Sequence, residues 1–183
     1  MARLMKILPE KKALELLERI RTSFGNDVRT NFEHRAKSCL TCGTPGACCL
    51  DEHFVNVRIS RLEAVAIGRV LDSLPDERRL AVVERISAAI ERFGLDASED
   101  PLKTYACPLY EKGSGCLIHE GAKPLPCIQH ACYESPDDLP PDEMLDQAEA
   151  AVDALNIRAY GVTQTLLPIP AAVERFAKIR RSS

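Results

Sequence analysis

Residues 39–49 read CLTCGTPGACC and residues 107–132 read CPLYEKGSGCLIHEGAKPLPCIQHAC, and these two stretches hold all eight cysteines of the chain. In the first, Gly43, Pro45 and Gly46 break any regular element and predict a tight irregular loop. In the second, Tyr105 to Tyr110 and Cys116 to His119 are short extended segments on either side of a Lys112–Gly115 turn, the pattern of a hairpin. Pro124 and Pro126 then set Cys127 near the start of a short helical turn, and Cys132 follows five residues later. The centre of the fold is therefore expected to be a small, irregular α+β cysteine-rich core spanning about residues 39–132.

Working outward, the surroundings read as helix. Ala13, Leu16, Leu17, Ile20 and Phe24 recur at helical spacing behind Pro9, predicting a helix from Glu10 to Ser23 that Gly25 and Asn26 should end. A second helical stretch from Asp27 to Lys37 leads to Cys39. After the loop, His53 to Ile59 alternates as one strand. Ser60 and Glu63 form an S-x-x-E capping box, opening a helix with Ile67, Val70, Leu71 and Leu74 on one face. Pro75 interrupts, and a helix from Asp76 to Phe93 runs to Gly94. Leu145 to Ala159 marks another helix and Val173 to Ala177 the last, both expected to pack outside the core. The predicted fold class is mostly α with that small core, as a single domain of residues 1–183 with flanking helices in 1–38 and 141–183.

Composition narrows the function classes. A chain of 183 residues with 45% hydrophobic content can bury a real core without staples. Residues 1–21 intersperse Arg3, Lys6, Glu10, Lys11, Lys12, Glu15 and Glu18 with apolar residues, leaving no uninterrupted hydrophobic region for export, and no stretch resembles a membrane span. The expected location is the cytoplasm, where thiols stay reduced, which puts metal ligation ahead of disulfides. A net charge of −3 gives no general attraction to nucleic acid. The basic run of Lys178, Arg180 and Arg181 reads as the solvated end of a helix.

Thiolates are soft ligands, and four of them enclose zinc or hold an iron-sulfur cluster. Cys39-x2-Cys42 is a chelating knuckle, Cys48 and Cys49 are adjacent and expected to point apart, Cys107 and Cys116 face each other across a hairpin, and Cys127-x4-Cys132 closes the set. The candidate metal ligands are thus Cys39, Cys42, Cys48, Cys49, Cys107, Cys116, Cys127 and Cys132. Zinc with four thiolates would be purely structural, whereas burial beside Leu40, Leu50 and Ile118 would tune an iron-sulfur potential; iron-sulfur is preferred over zinc. Because about fifty-seven residues separate Cys49 from Cys107, the clusters share a site only if the fold doubles back.

The ordered pattern, with Cys107-Pro108-Leu109, Cys116-x-Ile118-His119 and Lys123-Pro124-x2-Cys127-x4-Cys132, resembles the YkgJ-type cysteine-cluster family, described as zinc- or iron-chelating domains. A similar domain occurs in flagellin lysine N-methylases. The likeness spans Cys39 to Cys132 and implies metal chelation by the cysteines. His119, Lys123 and Ile128 stand where the family usually has Tyr, Arg and Arg, so a role carried by those arginines does not transfer, Arg and Lys being unequal at forked contacts.

Among other residues, His130 and His119 are alternative ligands, outweighed by eight available thiols, and His34 and His53 merely flank the first loop. Asp51, Glu52, Glu111 and Glu120 lie nearest the cysteines but form no acid–base pair and read as solvated loop charges; Tyr105, Tyr110 and Tyr133 read as packing. Three roles follow: a metal-binding or electron-transfer module, a metal-dependent enzyme related to protein lysine methylation, and a structural zinc-binding interaction protein. Each acts on a protein or small-molecule partner, without nucleic acid or membrane.

Overall fold

The computed structural model describes residues 7–38, 41–96 and 100–180. Among the described residues it is mostly helical, 56%, with seven α-helices and only a few short antiparallel strands. The residues divide into two compact units, each assembled from two separated stretches: 1–45 with 123–165, and 46–122 with 166–183. Among the described residues no helix is long and apolar enough to cross a membrane. Cys39, Leu40 and Arg181 lie outside the described residues.

The first unit is built on α1 (Glu10–Asn31), packed against α5 (Leu125–Gln129) and α6 (Asp142–Tyr160). Gly25 and Asn26 do not end α1, contrary to the local expectation, and no separate helix starts at Asp27. The buried stripe Ala13, Leu17, Phe24 and Val28 continues through them, so packing overrides the weak helix propensity of glycine. A β-carbon at Gly25 would meet Ile128 Cγ2 at 3.7 Å, an ordinary contact. Gly25→Ala is therefore expected to stabilise the protein by about 0.5–1 kcal/mol, read as a higher urea midpoint at unchanged slope; a lower midpoint would show that the site is tighter than this. Leu8 N–H donates to Arg158 O at 2.8 Å and Tyr160 Oη to Glu10 Oε2 at 2.9 Å, tying the start of α1 to the end of α6. After a 3-10 turn at Glu33–Arg35, β1 (Ala36–Lys37) pairs antiparallel with β5 (Cys132–Tyr133), Lys37 opposite Cys132.

The second unit contains α2 (Ala47–Leu50), α3 (Arg61–Asp72), α4 (Asp76–Phe93) and α7 (Ile169–Phe176). The capping box forms as read: Ser60 Oγ accepts from Glu63 N, and Glu63 Oε2 accepts from Ser60 N at 2.8 Å. The predicted strand over 53–59 shrinks to β2 (Arg58–Ile59), paired antiparallel with β6 (Leu167–Pro168), since Asp51–Phe54 turns instead of extending. α7 is not a peripheral helix: Ile169, Ala172 and Val173 are buried, and it packs against both α3 and α4. Nor are Lys178 and Arg180 a helix end, although both are exposed as expected. Helix ends at Phe176, and Arg180 N and Nη2 donate to Asp72 Oδ1 and O at 3.0 and 2.8 Å. Arg79, only 1% exposed, donates from Nε to Arg180 O at 3.0 Å and pairs with Asp76 at 2.8 Å. The hairpin expected from the glycine turn is present as β3 (Tyr110–Glu111) and β4 (Gly115–Cys116).

Candidate metal centre

In the second unit, Gly46 adopts a left-handed backbone, φ +83°, that L side chains rarely take, and its carbonyl accepts from Cys49 N and Leu50 N at 2.9 Å. That turn launches α2 and presents Cys48 and Cys49. The ring of Tyr110 lies directly over Gly46, so close that a β-carbon there would overlap it. Tyr110 belongs to the hairpin, opposite Cys116, and its N–H donates to Cys107 O at 3.3 Å. Cys107 N–H in turn donates to Cys49 O at 2.8 Å. The last residue of the first sequence cluster and the first residue of the second are thus bonded main chain to main chain: the fold does double back.

The electrostatics agree with that proximity. Burial first, then the Cys48, Cys107 and Cys116 thiols, push the Cys49 thiol up to about 12, and it shares a hydrogen bond with Cys48. Cys48 and Cys49 therefore do not simply diverge, contrary to the expectation from adjacency. Among the described residues no three His, Cys, Asp or Glu side chains are grouped closely enough to hold a metal ion. The thiols of Cys48, Cys49, Cys107 and Cys116 share a neighbourhood without closing on one point.

The segment carrying Cys107 is held from three sides. Tyr105 is fully buried; its hydroxyl donates to Val57 O at 2.5 Å and accepts from Ile169 N at 3.1 Å, while its N–H donates to Val55 O at 2.8 Å. Arg85 on α4 donates from Nε to Pro108 O at 3.1 Å. Its Nη2 is buried, 3.7 Å from Glu111 Oε1, with no hydrogen-bond partner. Arg78 Nε donates to Glu111 Oε2 at 2.8 Å and holds that carboxyl below the usual range. Glu111 is accordingly a paired charge that fastens the hairpin to α4, not the solvated loop charge read from sequence. Glu52 pairs with Arg92 at 2.9 Å, and Asp51 Oδ1 accepts from His53 N at 2.9 Å. Glu120 stays exposed as expected, 3.7 Å from His119. Leu50 is 42% exposed and so does not shield the cysteines, whereas Ile118 is buried.

In the first unit, Cys127 lies on α5 and Cys132 in β5, and Cys42 Sγ is 4.0 Å from Thr44 Oγ1. Between the two cysteines, Gln129 Oε1 is buried without a hydrogen-bond partner; next to Cys132, Tyr133 Oη is in the same condition. Burial, with Glu33 adding to it, raises the Tyr133 hydroxyl above its ordinary value, so it stays a proton donor. His130 is exposed as a residue, yet its ring loses enough solvent that burial, with Lys123, lowers its pKa. The described cysteines are present as thiols, Cys48 and Cys132 exposed and the others half-buried.

Thiols are the donor set that zinc and iron-sulfur clusters take. The donor chemistry fits. Sequence reasoning missed Arg85 and the anchoring role of Tyr105. Nothing local marks either, since each bonds to residues distant in sequence. A cavity of about 20 Å³ between α4 and α7, lined by Val83, Ile86, Ser87, Val173, Glu174, Ala177 and Ile179, has room for a single water and no cysteine in its wall. No family model, no curated protein and no solved structure matches the chain.

Proposed function

We propose that this is a metal-binding protein that uses its cysteine thiolates to hold an iron-sulfur cluster or zinc in the reducing cytosol. The observation that supports it most is the 2.8 Å bond from Cys107 N–H to Cys49 O, which joins two sequence-distant cysteine clusters and gathers Cys48, Cys49, Cys107 and Cys116. Such convergence in a chain already able to form a hydrophobic core has no folding necessity behind it, and thiol ligation gives it a purpose. The likeness to the YkgJ-type cysteine-cluster family points the same way, as a reading of cysteine order and spacing.

The ligands proposed are Cys39, Cys42, Cys48, Cys49, Cys107, Cys116, Cys127 and Cys132. Iron-sulfur is preferred, and it would supply one-electron chemistry. Serine in place of Cys42 or Cys127 is expected to lower metal content sharply, because a hydroxyl ionises poorly at neutral pH and is a hard ligand. His130→Ala should leave it unchanged. Metal analysis with a visible spectrum on anaerobically purified protein is the readout, iron-sulfur being coloured and d10 zinc silent. Full occupancy in Cys127→Ser would remove that residue from the ligand set, and loss in His130→Ala would redraw the site as mixed sulfur and nitrogen.

A further inference from the structure

We infer that residues 177–180 form a releasable latch across α3 and α4, and that lifting it loosens the hairpin carrying Cys107 and Cys116. The inference stands apart from the metal reading, since it concerns how the hairpin is held and not what its thiols bind. The latch begins where α7 ends, at Phe176. The helix itself is anchored by buried Ile169, Ala172 and Val173, whereas from Ala177 the chain leaves the helix and its residues alternate half-buried and exposed. Ala177 lies over Gly68 of α3, so close that a β-carbon at Gly68 would stand 2.6 Å from Ala177 Cβ. Ala177 and Ile179 also help to wall the small cavity between α4 and α7.

Few contacts close the latch. Both main-chain groups of Arg180 are held by side chains: its N–H donates to Asp72 Oδ1 at 3.0 Å, and its carbonyl accepts from Arg79 Nε at 3.0 Å. The Arg180 guanidinium adds a bond from Nη2 to Asp72 O at 2.8 Å, but that side chain is 61% exposed, and its charge pair with Asp72, at 3.8 Å, contributes little in water. A segment held this way opens locally far more easily than the helices beneath it. Opening has a consequence at Arg79. That guanidinium, 1% exposed, loses an acceptor and keeps Asp76 and the Leu74 carbonyl at 3.4 Å, so the first turn of α4 must admit water or move. Arg78, the residue before it, grips Glu111 of the hairpin, and Arg85, further along α4, holds the Pro108 carbonyl. Latch and hairpin are thus fastened to neighbouring residues of one helix.

Gly68→Ala tests this, because alanine suits a helix better than glycine while its methyl would displace Ala177. Amide hydrogen exchange of the full-length protein, read by mass spectrometry, should be faster than in the parent in 177–180 and in 105–117. The expected increase is about two- to tenfold, the factor by which one lost hydrogen bond shifts an opening equilibrium. α6, in the other unit, should exchange as before. Adding Ala177→Gly removes the methyl that is struck and should bring the rates back most of the way, the nearest remaining neighbour being Ala177 Cα at 3.3 Å. If Gly68→Ala does not fold, Asp72→Ala makes the same test by withdrawing the acceptor of Arg180 N–H, with the same pattern expected. Faster exchange in 177–180 with an unchanged hairpin would overturn the coupling. Unchanged exchange in 177–180, or acceleration spread equally into α6, would overturn the latch itself.

Discussion

Gly46→Ala is expected to destabilise the protein by roughly 2–5 kcal/mol and to lower its metal content. About 1–2 kcal/mol comes from forcing an L side chain into the left-handed region that Gly46 occupies at φ +83°. About 1–3 kcal/mol more comes from overpacking, because the new methyl would overlap the Tyr110 ring, which must swing away from α2. That ring sits on the strand opposite Cys116, so its displacement separates the Cys48–Cys49 turn from the Cys107–Cys116 hairpin. The two contributions can be told apart. In a Tyr110→Ala background the steric part vanishes and Gly46→Ala should cost only the backbone part, a coupling measurable by a double-mutant cycle. Equal costs in both backgrounds, by urea denaturation, would show that the ring does not rest on Gly46.

Tyr105→Ala is expected to cost about 3–5 kcal/mol, a large share of the roughly 5–15 kcal/mol that holds a domain folded. The side chain is fully buried, so truncation leaves a cavity, and it also removes one of the two donors to the Val57 carbonyl and one of the two acceptors of Ile169 N–H. Ile169 N–H keeps a contact to Val57 O at 3.3 Å, which softens the loss when only the hydroxyl is removed. Tyr105→Phe should therefore cost only about 0.5–1.5 kcal/mol. Thermal or urea unfolding of the two variants checks the order, and similar losses in both would mean that the hydroxyl, not the ring, carries the anchor. Because Tyr105 is two residues before Cys107, the alanine variant should also lose metal.

These two residues show what the sequence conveys and what it withholds. The helix from Arg61 and the helix from Asp76 were readable because their signals are local: a serine and glutamate three apart, and a proline before the first turn. The hairpin at Tyr110–Cys116 was readable for the same reason, from its glycines. By contrast, β1 with β5 and β2 with β6 pair two-residue strands some hundred residues apart, too short to carry a periodic pattern. The passage of α1 through Gly25, and the burial of α7, depend on packing partners that no window of sequence contains. For the site, the identity of the thiols was plain and their grouping was not. Adjacency in sequence joined Cys42 to Cys48, whereas the fold divides the chain between them. Tyr105 read only as a packing aromatic, its two hydrogen-bond partners lying 48 and 64 residues away.

The most direct measurement is X-ray absorption at the metal edge of the full-length protein purified without oxygen, because it counts and identifies the atoms around the metal. A first shell of about four sulfurs near 2.3 Å, without nitrogen or oxygen, is the expected result for thiolate ligation at each site. The same sample should show an iron–iron vector if the metal is an iron-sulfur cluster, and none if it is zinc. A first shell of nitrogen and oxygen at about 2.0–2.2 Å would contradict thiolate binding outright. So would the absence of any stoichiometric metal from protein whose eight thiols all react.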